Sequence, residues 1–482
     1  MKSRIVVLGA GPAGLSAAWQ LALAGYQVTV LEKDNLLGGL CQTVEYKDFR
    51  FDLGGHRFFS QNEDLVEKIT KLMGQELLVR PRTSVIRLQG KYFRYPIELP
   101  DLLRKLQLNT TIKCLFGYAY EAIKNRLGES PDSNYERWLV KRYGIPLYNL
   151  YFAPYSEKLW GTTMNHMSSD WAAQRISELS FWDVVISLFT AKKDEVRTFT
   201  RDFYYPRLGI GQITDKMAEV VQSQNGQVLT NSPVVGIDLS KKPYKVTYLR
   251  NGNSTTIPAD YVISTIPITD FVKGVRSHVD PKIQKLASRL YFRSLIFLNI
   301  LLDQNQVSEN TWIYVPEKKY QIMRLQEPKN WQPTNAPENK TSMICEIACD
   351  YNDETWNVDK DAVYERCIRE LDELGFHGLK MNTIDYFITK AQHAYPVYFL
   401  GYRQIRETLI DYFNQFSDLI LCGRQALYRY NNMDHSLEMG LNAANVIINN
   451  AHKNKIYEIA ENKVYLEKNH IIRETENSLL QE

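Results

Sequence analysis

Two glycine-rich runs carry the chemistry most readable in this chain. Gly9-Ala10-Gly11-Pro12-Ala13-Gly14 follows the apolar run Arg4-Ile5-Val6-Val7-Leu8, and Glu32 stands 18 residues after Gly14. In such a turn the first glycine permits the sharp bend, the second lets backbone amides approach a pyrophosphate, and the third lets helix and strand pack closely. The helix N-terminus adds partial positive charge, and a carboxylate at the position of Glu32 suits a ribose hydroxyl. A dinucleotide is therefore expected. Further on, Gly38-Gly39 and Thr43 precede Asp52-Leu53-Gly54-Gly55-His56, and no second GxGxxG occurs. The expected dinucleotide is FAD, with no dedicated NAD(P) domain. A lone histidine is usually structural, but one placed after Gly54-Gly55 sits where backbone can approach a ring.

These residues need elements to hold them. A helix from Leu15 to Ala24, ended by Gly25, and a strand from Gln27 to Leu31 complete a βαβ unit. Residues 100 to 200 change to amphipathic helices rich in Tyr and Trp: Leu102 to Leu106, Tyr135 to Tyr143 and Asp170 to Leu179. Strands return at Gln227 to Leu229, Tyr244 to Leu249 and Tyr261 to Thr265. A denser set at Ser294 to Leu302, Trp312 to Val315, Gln321 to Leu325 and Ser342 to Ala348 reads as an antiparallel sheet. The strand Leu419 to Cys422, with Gly423-Arg424 after it, and a helix from about Ser436 to Asn449 close the pattern. The expected fold class is α/β: a Rossmann-like FAD-binding domain (1–75, 203–265, 415–452), an inserted α-helical domain (98–200) and an antiparallel β-sheet substrate domain (76–97, 266–414). Residues 453–482, mostly charged and polar, read as a C-terminal tail or surface helix.

Composition excludes several function classes. The chain has 482 residues, 44% hydrophobic and 23% charged, an ordinary globular mix that rules out global disorder. Its 58 Lys and Arg nearly balance 55 Asp and Glu, so the net charge of +3 makes no overall case for nucleic acid or an anionic membrane. No apolar run is long enough to span a bilayer, and the N-terminal apolar stretch breaks at Gly9, too soon for a signal-peptide core. The expectation is a cytoplasmic protein without an integral membrane segment. Cysteines 41, 114, 345, 349, 367 and 422 form no CxxC pair, so buried thiols are expected and no metal site. The basic amphipathic stretch Leu102 to Lys113 reads as a solvated helix face rather than a membrane-surface helix. No Ser-His-Asp or Cys-His constellation is evident.

The run from Gly9 to Glu32, with Gly38-Gly39 and the late Gly423-Arg424 strand, resembles the glutathione-reductase-type flavoproteins, which include amine oxidases, protoporphyrinogen oxidase and carotenoid desaturases. Within that superfamily, five features resemble the UDP-galactopyranose mutases, particularly the eukaryotic type. They are Gly54-Gly55-His56-Arg57-Phe58-Phe59-Ser60, Tyr95-Pro96, Pro154-Tyr155 with Trp160, Trp312-Ile313-Tyr314, and Asn432-Met433-Asp434-His435-Ser436. The similarity runs in order to about residue 450.

The resemblance implies the site. Cofactor residues would be Gly9, Gly11, Pro12, Ala13, Gly14, Glu32, Lys33, Gly38, Gly39, Leu40, Gly54, Gly55, His56, Val234, Gly423, Arg424, Asn432, Met433 and Asp434, with Gly209-Ile210-Gly211 as a further flavin-proximal loop. Arg175 and Arg324 fall on two arginines that bind the diphosphate of a nucleotide sugar; guanidinium forks pair bidentately with phosphate oxygens. Phe59, Tyr95, Trp312, Tyr314, Tyr395 and Tyr428 fall on substrate positions. His56, Arg175 and Arg324 would be the catalytic set.

The family's reaction is a redox-neutral exchange of pyranose and furanose forms that works through N5 of reduced FAD, so an external reductant is implied, with NAD(P)H a candidate. Ile97-Glu98 stands where the eukaryotic mutases place a glutamine that helps hold uracil, and Arg57 replaces an apolar residue, so the sugar and base are expected to differ. The same superfamily resemblance supports an FAD-dependent oxidase, desaturase or sugar dehydrogenase. It also includes Rab GDP-dissociation inhibitors, which share the architecture without using FAD. A small-molecule substrate is expected in the enzyme readings, and a homo-oligomer is open.

Overall fold

A computed structural model describes residues 3–95, 99–126, 134–171, 202–275 and 279–461. The opening run forms the strand Arg4–Leu8 at the centre of a five-stranded parallel sheet. The strand order is Leu419–Leu421, Tyr261–Ser264, Arg4–Leu8, Gln27–Leu31 and Gln227–Leu229. Val7 lies opposite Val30 on one side and Ile263 on the other. Continuous apolar strands of this kind suit a parallel sheet buried on both faces.

The first helix spans Pro12–Leu23, starting earlier than the sequence suggested because Pro12 presets a helical φ at the first position and needs no N–H partner there. It packs on the helix Met433–Ile448 at very short range. A Cβ on Gly440 would lie 2.0 Å from Ser16 Oγ and 2.1 Å from the Ala13 carbonyl oxygen. Ser16 Oγ donates to the Leu437 carbonyl at 2.9 Å, so the crossing is bonded as well as packed.

A seven-stranded sheet stands beside this unit. Its order is Thr383–Pro396, Phe292–Leu302, Thr341–Cys349, Arg324–Gln326, Trp312–Tyr314, Ser84–Leu88 and Lys91–Arg94. All pairs are antiparallel except Trp312–Tyr314 with Ser84–Leu88, which run parallel. The strand Phe292–Leu302 is buried throughout and its side chains alternate between two cores. Leu295, Phe297 and Leu301 join the main core, while Ile296, Leu298, Ile300 and Leu302 join a second one shared with the helix Lys360–Glu373. The period of two thus points one sheet face to that helix and the other to the main core.

The expected helix at 102–106 overlaps Leu99–Lys105, ending one residue earlier, and that at 135–143 lies within Tyr135–Leu147; of the one expected at 170–179, residues beyond 171 lie outside the described residues. The helix Leu108–Arg126 packs on Tyr135–Leu147. All six cysteines are free, and those thiols are buried.

Of the two forms expected from residue 453, a tail or a surface helix, the described part is a helix. Asn454–Glu461 is a packed helix: Ile456 and Ala460, four residues apart, are buried, and the Glu461 carboxylate pairs with the buried Arg406 and Arg429. Because the helices at Ser16 and Gly440 leave no room for a methyl group, Gly440→Ala should destabilise the fold by about 1–3 kcal/mol, as overpacking does. A lowered thermal midpoint of the purified holoprotein is the measurement; an unchanged midpoint would show slack in the crossing.

Candidate active site

The nucleotide cradle is built from backbone close to backbone. Gly9 has φ +97°, and a Cβ on Gly14 would sit 2.0 Å from the Gly9 carbonyl oxygen. Gly38 N donates to the Ala10 carbonyl at 2.9 Å, and Gly39 closes on Gly11. Glu32 is buried and accepts from Ala10 N at 2.7 Å and Asp34 N at 3.0 Å; burial raises its carboxyl pKa, and those two bonds oppose the rise. Lys33 beside it is exposed and Leu40 half-buried. Gly423, at φ +89°, presses on Ala13, where a Cβ would come within 2.9 Å. Asn432, Met433 and Asp434 open the helix Met433–Ile448, and Asn432 makes no side-chain cap bond there. Val234 begins the strand Val234–Asp238 and is half-buried.

A buried carboxylate fixes the next layer. Asp52 accepts from Thr43 Oγ1 at 2.6 Å, Tyr205 Oη at 2.5 Å and Ile210 N at 3.2 Å, and Gly211 N donates to Thr43 Oγ1 at 2.9 Å. Burial raises the Asp52 carboxyl to about 6 against these donors. The Gly209-Ile210-Gly211 loop is thereby tied to the strand that leads into Gly54-Gly55-His56.

That loop lies on an indole. A Cβ on Gly55 would fall 2.9 Å from the Trp312 ring, so glycine is required there. The His56 residue is half-buried, but its Nδ1 is shut off from solvent and has no protein partner. Burial, then the charges of Arg424 and Arg324, lower its pKa to about 4, so the imidazole is neutral at physiological pH. Tyr314 stacks between Tyr95 at 4.2 Å and Trp312 at 5.5 Å, with Tyr155 edge-on at 5.6 Å.

Arg324 stands beside this wall, its guanidinium 5.2 Å from the Trp312 ring and its Nη2 donating to Tyr395 Oη at 2.8 Å. It is also paired with Glu346, a fully buried carboxylate that accepts from Gln326 Nε2 and from the Gly55 backbone amide. Burial works against the Arg324 charge, but Glu346 first, then Tyr395, Tyr155 and Tyr314, outweigh it and raise its pKa. Burial raises the Glu346 carboxyl pKa in turn, and Arg324, Gln326 and the Gly55 amide oppose the rise. Arg424 lies over the Tyr395 and Tyr430 rings, at 5.0 and 4.2 Å, and donates to the Ala394 and Asn431 carbonyls.

His56, Tyr95, Trp312, Tyr314, Arg324, Tyr395 and Arg424 therefore gather at one place. Phe59 is half-buried just after Phe58, which bridges to Tyr204. Arg175 lies outside the described residues, as do Pro96, Ile97 and Glu98. Tyr428 is a correction to the substrate set. It is fully buried, and its hydroxyl lies 2.6 Å from the Tyr291 carbonyl and 2.8 Å from that of Val397, so it binds main chain rather than ligand. Glu346 and the anchoring role of Asp52 escaped the sequence reading. The signal for Glu346 was a lone carboxylate inside the apolar strand Thr341–Cys349.

These residues fit a flavin dinucleotide. The glycine cradle admits a close pyrophosphate, and several buried polar atoms lack a protein partner around the gathered residues: His56 Nδ1, Trp312 Nε1, Arg324 Nε, Arg424 Nε and Asn431 Nδ2. Buried polar groups in folded proteins are nearly always bonded, so such a group of orphans suits a polar ligand.

Two outcomes follow. His56 is kept neutral, so the folded state is fully favoured above its ordinary value of 6.5 and loses stability, by roughly 3 kcal/mol, as pH falls to about 4. His56→Gln should flatten the fall in thermal midpoint across that window; an unaltered slope would place the titration elsewhere. Arg324→Met removes the cation paired with the buried Glu346, which should cost about 3–5 kcal/mol, and adding Glu346→Gln should restore most of it. Thermal midpoints of the two single variants and the double variant measure the coupling.

The model of the family described as flavin containing amine oxidoreductase matches residues 12–448. Among curated proteins, the L-amino-acid oxidase of Sistrurus catenatus edwardsii is 26% identical over 279 residues, covering 54% of this chain and 50% of that protein. The phytoene desaturase of Fusarium fujikuroi is 24% identical over 286 residues, covering 55% and 49%. The chain spans about half the length of the curated relatives it matches. Among solved structures, a reduced UDP-galactopyranose mutase superposes with a TM-score of 0.83 at 21% identity, covering 96% of this chain and 99% of that one. A putrescine oxidase triple mutant redesigned in cofactor binding superposes at 0.62 with 15% identity, covering 93% and 99%. At these identities the structural likeness establishes the fold, which is that of a mutase-like FAD flavoprotein. With the family match running from the first helix to the last long one, the chain belongs to the flavin containing amine oxidoreductases.

Proposed function

We propose that this protein is an FAD-dependent nucleotide-sugar mutase that exchanges pyranose and furanose ring forms. The observation that carries the reading is Arg324, a buried guanidinium set against Tyr395 and the Tyr95–Tyr314–Trp312 stack. An aromatic wall with a fixed guanidinium suits a sugar and its phosphates, where an apolar substrate would call for an aliphatic cleft. The fold shared with a UDP-galactopyranose mutase supports the same assignment.

Each residue then has a role. Arg324, held in one orientation by Glu346, offers its unpartnered Nε to a phosphate oxygen, and Arg175 adds the second guanidinium. Tyr395 accepts from Arg324, which leaves its own hydroxyl proton to give to a substrate oxygen; burial raises its pKa, so that proton is retained. The Tyr95, Tyr314 and Trp312 rings exclude water from the sugar. Neutral His56, raised on Gly54-Gly55, presents an imidazole without charge to the cofactor. Gly9, Gly11, Gly14 and Glu32 would hold the FAD pyrophosphate and ribose, with Arg424, Asn432, Met433 and Asp434 at the far side. Bound FAD supplies an electron-rich ring nitrogen when reduced and a two-electron acceptor when oxidised. The mutase reading needs the reduced form, with NAD(P)H a candidate donor.

A second reading, an FAD-dependent oxidoreductase, is favoured by the oxidase and desaturase among the sequence relatives and by Glu346, which neutralises Arg324 inside the protein. The tight glycine cradle supports both over a flavin-free binding protein. Anaerobic incubation of holoprotein with nucleotide hexoses and pentoses, with and without dithionite, separates the two. A same-mass isomer formed only after reduction is expected. Bleaching of oxidised flavin with a product two hydrogens lighter would replace the mutase with the oxidoreductase.

A further inference from the structure

The helix Leu108–Arg126 leaves an apolar side uncovered. Leu108, Ile112, Phe116, Tyr120 and Ile123 are 76%, 42%, 74%, 62% and 63% exposed. At about 100° per residue these positions fall within an arc of about 120°. The opposite side is the buried one, with Cys114, Tyr118 and Glu121 packed inward and Glu121 paired to Arg137. A surface helix ordinarily turns its polar side to water, and scattered exposed apolar residues need no explanation. A continuous stripe five side chains long marks a contact surface.

Charge identifies what the stripe meets. Residues 91–126 hold seven cations (Lys91, Arg94, Arg104, Lys105, Lys113, Lys124, Arg126) against Glu98, Asp101 and Glu121, a net +4, whereas the whole chain carries only +3. Taken together, the rest of the chain is nearly neutral. Lys113 and Lys124 sit on the same border of the stripe, where long side chains can bury their stems and raise their charges to headgroup level. The strand Lys91–Arg94 is locked to the helix Leu99–Lys105, which precedes this one, because Lys91 Nζ donates to the Lys105 carbonyl at 2.7 Å and Lys105 Nζ to the Tyr92 carbonyl at 2.9 Å.

We propose that this face seats the protein on a lipid surface bearing anionic headgroups, with the helix Leu108–Arg126 lying in the interface. No helix among the described residues is long and apolar enough to cross a membrane, so the contact is peripheral. A bilayer provides apolar depth for Phe116 and Ile112 and negative charge for the lysines. A second copy of the chain would instead set one positive segment against another.

The test is flotation of the full-length holoprotein with phosphatidylcholine vesicles, with or without phosphatidylserine. Binding to the phosphatidylserine vesicles is expected, weakening about tenfold or more as salt rises from about 0.05 M to about 0.5 M. Phe116→Ser with Ile123→Ser should weaken it about tenfold or more, and Lys113→Glu should weaken it about fivefold or more, with flavin absorbance unchanged. Failure of the unmodified holoprotein to float with either vesicle at low salt would overturn the proposal. So would a dimer in light scattering that the serine variant dissolves while vesicle binding stays absent.

Discussion

The site turns on a carboxylate that never meets water. Glu346 sits inside the seven-stranded sheet, paired with Arg324 from the next strand, with Gln326 two residues on, and with the Gly55 amide from the loop carrying His56. Removing an ionised carboxylate from water is expensive, and it persists only where opposite charge and hydrogen bonds surround it. Those requirements set distances across both halves of the molecule. Strand Arg324–Gln326 must face Thr341–Cys349 in register, and the Gly54-Gly55 loop must descend onto the sheet. Gly55 then has to be glycine, because the Trp312 indole occupies the space of a side chain. One buried charge thus connects the sheet, the aromatic wall and the loop of His56.

Features that rest on steric exclusion were legible in the sequence, because exclusion dictates residue type at one position. The Gly9–Gly14 turn, the βαβ unit and the closing strand with Gly423 appeared where glycines and apolar runs placed them. Features that rest on which polar partner a side chain finds were not. Tyr428 has the residue type of a substrate ligand, yet its hydroxyl is taken by two backbone carbonyls far away in sequence. Glu346 lies in an apolar strand with nothing local to name Arg324 as its partner. The packing of the last helix was hidden for the same reason: apolar and polar residues are evenly mixed in it, while Ile456, Ala460 and the Glu461 bond to two arginines decide how it packs.

Overall charge was informative about the whole and silent about its parts. Near-balance between acids and bases hid a segment whose excess exceeds that of the complete chain. The periodicity of the helix Leu108–Arg126 was likewise ambiguous from sequence, since it has apolar residues on more than one side. Only its packing against Tyr135–Leu147 shows which of them are covered.

The same charge accounting distinguishes the two arginines beside His56. Arg324 is matched by Glu346, so its field is largely cancelled within the protein. Arg424 meets carbonyls and aromatic rings, and among the described residues no ion pair links it to a carboxylate. After burial, its charge is the larger of the two arginine influences that lower the His56 pKa. A cation among buried rings without a counter-charge is costly by itself and becomes favourable once an anion joins it. The unpartnered polar atoms lie around both arginines, Trp312 and His56, whereas the unmatched charge is that of Arg424. A neutral histidine beside an unmatched guanidinium leaves the region positive at every physiological pH. On the proposed reading Arg424 supplies the long-range attraction for a negative group, while Arg324, whose orientation Glu346 fixes, aligns the phosphate oxygen that reaches its Nε.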